Sequence, residues 1–193
     1  MNGIYHRTAA AFVVAAATLG IAIGAAGPAA AQVTARAVDP VDYLKLPNTD
    51  IVGAVGNYDA ATGSVSIRID FVGSPPPRGP LWSGGPVGWD RLTDAGYLQE
   101  TADATSGVLV KLQAIAEPGR APAASWSLWG ARASYSGPAT VRYAGNSVTL
   151  TAVADRLKGL PLRWLGGGTY RSDISFPRFI DFFDSLDAPV PLR

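Results

Sequence analysis

An antiparallel two-sheet β-sandwich of jelly-roll-like type, mainly β with a short C-terminal helix, is the fold class this sequence predicts, and three observations carry the prediction. Several segments alternate apolar and polar residues with period two, as half-buried strands do. Turn formers are abundant, with 22 Gly and 15 Pro in 193 residues, and they collect between the alternating runs. Counted together, the runs give about seven to nine short strands at roughly ten-residue spacing, a pattern of sandwiches rather than of alternating strands and helices.

Ahead of that domain stands an export signal. Met1–Thr8 carries His6 and Arg7 without an acidic residue, and the apolar run Ala9–Gly27 leads into Pro28-Ala29-Ala30-Ala31. Charged, apolar and small-residue regions in that order make a secretory signal peptide, so residues 1–31 are expected to leave by cleavage after Ala31. The competing reading is a retained anchor, because about 20 apolar residues span a bilayer. Ala and Gly dominate the run and no basic cluster follows Gln32, which favours cleavage and a mature chain without a transmembrane segment. With no Cys in the chain, neither a lipid-modified N-terminus nor a disulfide is available at an oxidising destination.

Residues 32–48 read as an extended leader, since Asp39-Pro40 and Leu46-Pro47 disfavour helix at the residue before each proline. Residues 49–193 then form one domain. Ile51–Val55 and Ser64–Phe71 make a hairpin across Asp59–Gly63, with Val65, Ile67, Ile69 and Phe71 on one face and Gly63 supplying the positive φ of the turn. Residues 73–88 hold too many prolines and glycines for a central strand and form a long loop, with Trp82 and Trp89 in or beside it. A short helix around Leu92–Leu98 is expected next. Alternation returns in 107–117 and in 125–136, with a bulge near Gly130. Thr140–Tyr143 and Ser147–Ala152 form a second hairpin, and Leu162–Leu165 and Thr169–Ser172 are strand halves flanking Gly166-Gly167-Gly168. Last, Phe179, Phe182, Phe183 and Leu186 recur at helical spacing behind Pro177, which predicts the C-terminal helix.

Composition narrows the chemistry. Arg7 is the only charged residue in the signal, so cleavage leaves the 16 Lys+Arg one fewer and level with the 15 Asp+Glu. A neutral chain has no electrostatic footprint for nucleic acid or an anionic membrane. The single His of the chain is His6, and its loss removes the usual general base and the commonest imidazole ligand together. Ser-His-Asp and Cys-His catalysis, ordinary zinc sites, and haem or copper chemistry are thereby excluded from the mature chain, and no cofactor is implied.

Asp50-Ile51 ahead of the Ser64–Phe71 strand, Thr149–Ala152 running into Leu157-Lys158-Gly159-Leu160-Pro161-Leu162-Arg163-Trp164, and the closing Asp184–Pro189 resemble secreted bacterial β-sandwich domains of the DOMON and family 9 carbohydrate-binding type. The resemblance covers residues 50–72 and 140–190. It implies a two-sheet sandwich and leaves the ligand open, because the mature chain lacks the haem-ligating Met and His of the redox-active members.

The remaining candidates are aromatic and carboxylate. Trp82 and Trp89, held on a Gly/Pro loop, suit stacking on a sugar ring or anchoring a partner protein, against the alternative of plugging a core. Asp181, Asp184 and Asp187 recur every third residue and project together from a helix, as a cation site or as an acid and base, or else as a solvated face. Asn57, Asp59 and Thr62 offer oxygen ligands to Ca²⁺, or are ordinary turn residues. The expectation is a secreted or cell-envelope, non-catalytic protein that acts by binding or structural interaction, with a glycan or an envelope protein as the partners considered. The alternatives are a carbohydrate-binding module or carboxylate-dependent glycoside hydrolase, and a carrier of a small molecule or lipid.

Overall fold

The computed structural model describes residues 32–41, 50–74, 91–103, 106–117, 120–130, 133–166, 171–176, 179–184 and 189–193, with backbone alone at 91–92, 171–176 and 179–184. Residues 1–31, which carry the expected export signal, lie outside that set, as do 42–49 of the leader. In chain order the strands are β1 (Val33–Val38), β2 (Ile51–Asp59), β3 (Ser64–Phe71), β4 (Arg91–Gln99), β5 (Leu109–Ala116), β6 (Ala123–Trp129), β7 (Tyr135–Pro138), β8 (Thr140–Ala144), β9 (Ser147–Val153), β10 (Trp164–Leu165), β11 (Arg171–Phe176), β12 (Phe179–Asp184) and β13 (Val190–Pro191). One 3₁₀ turn, Asp155–Leu157, follows β9.

Two antiparallel sheets result. The first has the order β1-β2-β3-β9-β8, and the second runs β12-β11-β4-β5-β6-β7, with β10 on the remaining edge of β4 and β13 beside β10. The alternation of the sequence fixes which face of each sheet is buried. Val65, Ile67 and Ile69 of β3, and Val148 and Leu150 of β9, are fully buried against Leu98, Val110, Leu112 and Ala114 of the second sheet. Burial of such side chains contributes roughly 1.5–3 kcal/mol each and is the main force holding the two layers together. In β2 the register steps between Ile51 and Gly53, so Val52 is an extra residue. That bulge brings Ile51 and Ala54, three apart in sequence, onto the same buried face.

Sheet separation is set by a small residue. A Cβ on Gly56 would stand 2.5 Å from Leu165 Cδ1 and 2.9 Å from Leu98 Cδ2, so the opposing leucines occupy the space a side chain of β2 would need.

The two long sides of the sandwich are joined differently. On one side the chain passes from β7 in the second sheet straight into β8 in the first through Ala139 alone, whose N–H donates to Ala124 C=O. On the other side β1 meets the end of the second sheet, where Thr34 and Arg193 exchange both backbone hydrogen bonds, at 2.9 and 3.0 Å. The first half of the expected leader is therefore an integral strand of the sandwich.

Strands stand where the sequence predicts them in 51–55, 64–71, 107–117, 140–143 and 147–152, and the one predicted over 125–136 ends at Trp129; Gly167 and Gly168 lie outside the described residues. Leu165 stands opposite Leu98 and Arg171 opposite Ala95, so six residues advance on one strand against three on β4. Three expectations differ. Residues 92–98 form β4, not a helix, because this strand is central and covered on both sides: Thr93, Asp94, Ala95, Leu98 and Gln99 are all buried, which erases the alternation that marks a half-exposed strand. Residues 179–184 form β12, not a helix. They pair with β11 in an antiparallel register that steps at Ser172/Asp173, leaving Phe183 as an extra residue; the step breaks period two and imitates helical spacing in a run whose Phe and Ile content suits a strand. Near Gly130 there is no bulge in the pairing: β6 stays in step with β5 from Ala123 to Trp129 and ends where Gly130 takes φ +135°.

Candidate functional site

The outer face of the five-stranded sheet is a regular grid, because each strand of it keeps a polar phase. Register aligns Thr34, Asn57, Ser66, Thr151 and Thr140 in one row across β1, β2, β3, β9 and β8. The neighbouring row is Arg36, Val55, Arg68, Thr149 and Arg142. Cross-strand neighbours in such rows lie about 5 Å apart on the same face. Within the first row Thr34 Oγ1 donates to Asn57 Oδ1 at 2.8 Å, and Thr140 Oγ1 to the Thr151 carbonyl at 3.3 Å. Arg36, Arg68 and Arg142 are exposed. Arg68 Nε donates to Asp70 Oδ1 at 2.7 Å.

An open hollow of about 300 Å³ adjoins the hydroxyl row. Pro138, Ala139 and Thr140 line one side of it and Thr151, Ala152 and Val153 the other, where β9 extends past the start of β8. A second hollow, of about 250 Å³, lies on the other sheet where β5 ends and β6 begins, between Ile115, Glu117, Arg120, Ala121 and Ala123.

Asp39, Asp50 and Asp94 are the buried acids among the described residues, and Asp94 bonds across to the other sheet. Asp94 follows the phase of Leu98 on β4 and is 1% exposed, and the Tyr143 hydroxyl of β8 donates to its Oδ2 at 3.4 Å. Burial pushes the Tyr143 phenol well above its ordinary value, and the negative charge of Asp94 raises it further. This pair ties an edge strand of one sheet to the central strand of the other.

The residues singled out in the sequence fall in different places. Asn57 and Asp59 share the outer face of β2. Asp59 Oδ1 accepts the N–H of Ala61 at 2.9 Å and of Thr62 at 3.3 Å, and the Thr62 side chain, ahead of those N–H groups, holds its carboxyl below the usual range. Asp59 thus organises the turn that ends in Gly63, whose φ is +69°. Asp181 stands opposite Ile174 and Asp184 opposite Ser172 on β12, an extended strand in place of the helix that would have stacked them. Asp187, Trp82 and Trp89 lie outside the described residues.

Other carboxylates have structural duties. Glu100 Oε2 accepts the Val108 N–H at 2.9 Å, Glu117 pairs with Arg120 at 2.7 Å, and Asp155 pairs with Lys158 at 2.7 Å. Among the described residues no three His, Cys, Asp or Glu side chains group as a metal shell, and no helix is long and apolar enough to cross a membrane.

Sequence reasoning missed the arginine row. Each arginine occupies the polar phase of a separate strand, and only the pairing of distant segments aligns them. Comparison of the chain with protein-family models, with curated proteins and with solved structures gave no match.

Proposed function

We propose that this protein is a non-catalytic binding domain of the extracellular space or cell envelope, and that its working surface is the outer face of the five-stranded sheet, turned toward an extended glycan. The grid of hydroxyl, amide and guanidinium groups over five consecutive strands is the observation that supports this reading. An extended row of hydrogen-bonding groups matches an extended hydroxyl-bearing polymer, whereas a small ligand is ordinarily held in a concave, largely enclosed pocket. The missing His and Cys of the exported chain point the same way, toward recognition without chemistry.

The test is retention of the purified chain on a panel of immobilised neutral and acidic polysaccharides. An Asn57→Ala/Ser66→Ala variant is expected to lose most of the retention, while Gln113→Ala on the other sheet keeps it. Equal retention by all three chains refutes the assignment of the surface. A Trp82→Ala/Trp89→Ala variant examines the aromatic alternative: loss there, with the sheet variant unaffected, moves the site to that loop.

A further inference from the structure

We infer that the glycan bound on this face is acidic, and that Arg36, Arg68 and Arg142 read its carboxylates; the inference rests on the outer face being the binding surface.

The three arginines occupy the first, third and fifth strands of the sheet in a single register row, separated by Val55 and Thr149. Strands lie about 4.8 Å apart, so successive arginines start roughly 10 Å from each other and the row spans about 19 Å. Overall neutrality of the exported chain conceals this arrangement.

The row is short of counter-charge. Asp59 and Asp70 are the acids of the outer face among the described residues, and Asp59 is committed to its turn. Asp70 takes Arg68 Nε alone, which steadies that guanidinium while its two terminal nitrogens have no partner among the described residues. Arg36 and Arg142 likewise have no carboxylate partner among them. Three guanidinium groups set about a Debye length apart repel one another little at physiological salt, yet each remains available to an anion.

The residue types suit an oxyanion. Among the described residues the face carries arginine and no lysine, and a guanidinium presents a planar fork that takes a carboxylate, as it takes a phosphate, through two parallel N–H bonds. The adjacent row of Thr34, Asn57, Ser66, Thr151 and Thr140 supplies donors and acceptors for hydroxyl groups alongside. No aromatic side chain stands on this face among the described residues, so it lacks the stacking platform that single-stranded nucleic acid requires. A carboxylate-bearing polysaccharide lying across the strands, along the arginine row, satisfies both rows at once.

Affinity electrophoresis of the full chain in gels containing alginate, with dextran as the neutral reference and single-stranded DNA as competitor, tests this. Retardation by alginate that weakens with added salt is expected. An Arg36→Gln/Arg68→Gln/Arg142→Gln variant should lose about tenfold or more in affinity, as three exposed ionic contacts would, with an unchanged thermal unfolding midpoint. Thr149→Asp leaves every arginine in place but sets a carboxylate between Arg68 and Arg142, and a comparable loss is expected from it. Undiminished alginate binding by either variant overturns the inference, as does tighter binding of single-stranded DNA than of alginate. Retention by dextran alone, abolished by Asn57→Ala/Ser66→Ala, also overturns it while leaving the binding surface intact. Retention by no polysaccharide removes both.

Discussion

The hydroxyl of Tyr58 accepts the backbone N–H of Leu160 at 2.7 Å and donates to the Leu157 carbonyl at 2.8 Å. One phenol thereby pins the middle of the connection that leaves β9 for the second sheet at two points three residues apart. Tyr58 is 2% exposed and its bond to the Leu157 carbonyl is buried, so that carbonyl has no water at hand in its place. Tyr58→Phe keeps the ring and removes both bonds, and a loss of about 1–3 kcal/mol is expected from buried groups left unsatisfied. Urea unfolding of the two chains measures it; superimposable curves would show that the hydroxyl carries no stability.

Alkaline pH acts on the same phenol and on Tyr143. Burial raises both above the ordinary tyrosine value. A group whose folded pKa is raised contributes stability that is complete below its unfolded pKa, near 10, and is lost as pH climbs toward the folded value. The protein should hold its unfolding free energy across neutral pH and weaken above about pH 10. Asp94→Asn removes a negative charge that opposes ionisation of Tyr143, so that phenol should titrate at lower pH than in the parent. Ultraviolet titration of tyrosinate reads this directly, and an unaltered titration curve would contradict the Asp94–Tyr143 pairing.

Gly56 sets how closely the sheets approach. With Leu165 Cδ1 at 2.5 Å and Leu98 Cδ2 at 2.9 Å from the position of a Cβ, both leucines fully buried, an added methyl has to displace core side chains that are already packed. Gly56→Ala is expected to cost about 1–3 kcal/mol, and Gly56→Val more, as overpacked cores do. Neutral or stabilising behaviour in calorimetry would show that the leucines rotate away freely.

Legibility in the sequence followed exposure. Ser64–Phe71 and Ser147–Val153 each bury one face and leave the other polar, so their alternation announced them as strands and even assigned their inward residues. Arg91–Gln99 was hidden for the opposite reason: with Thr93, Asp94, Ala95 and Gln99 all buried, polarity no longer reports orientation. Phe179–Asp184 was hidden by its register step, which breaks period two at Phe183 and made a strand read as a helix. The arginine row lies beyond any local pattern. Arg36, Arg68 and Arg142 are each an unremarkable polar position until β1, β3 and β8 are known to belong to one sheet in one register, and sequence periodicity carries no information about pairing between distant strands.

The unequal seams predict the order in which the sandwich opens. β3 is hydrogen-bonded on both sides, to β2 and β9, and its inward residues are fully buried, so its amides exchange only when the whole sheet comes apart. Thr34 and Arg193 hold the opposite seam through one exchanged pair of backbone bonds between an edge strand and a terminal segment, with Thr34 itself exposed. Amide exchange through local opening needs far less free energy than global unfolding where few buried contacts break. The Thr34 and Arg193 amides are therefore expected to exchange orders of magnitude faster than those of Ile67 and Ile69, with the β8 edge, tethered covalently through Ala139, in between. Hydrogen exchange followed by NMR resolves the three groups. Protection of Thr34 equal to that of Ile67 would mean that the Thr34–Arg193 pair opens only with the fold as a whole, and that the sandwich behaves as a closed barrel on that side.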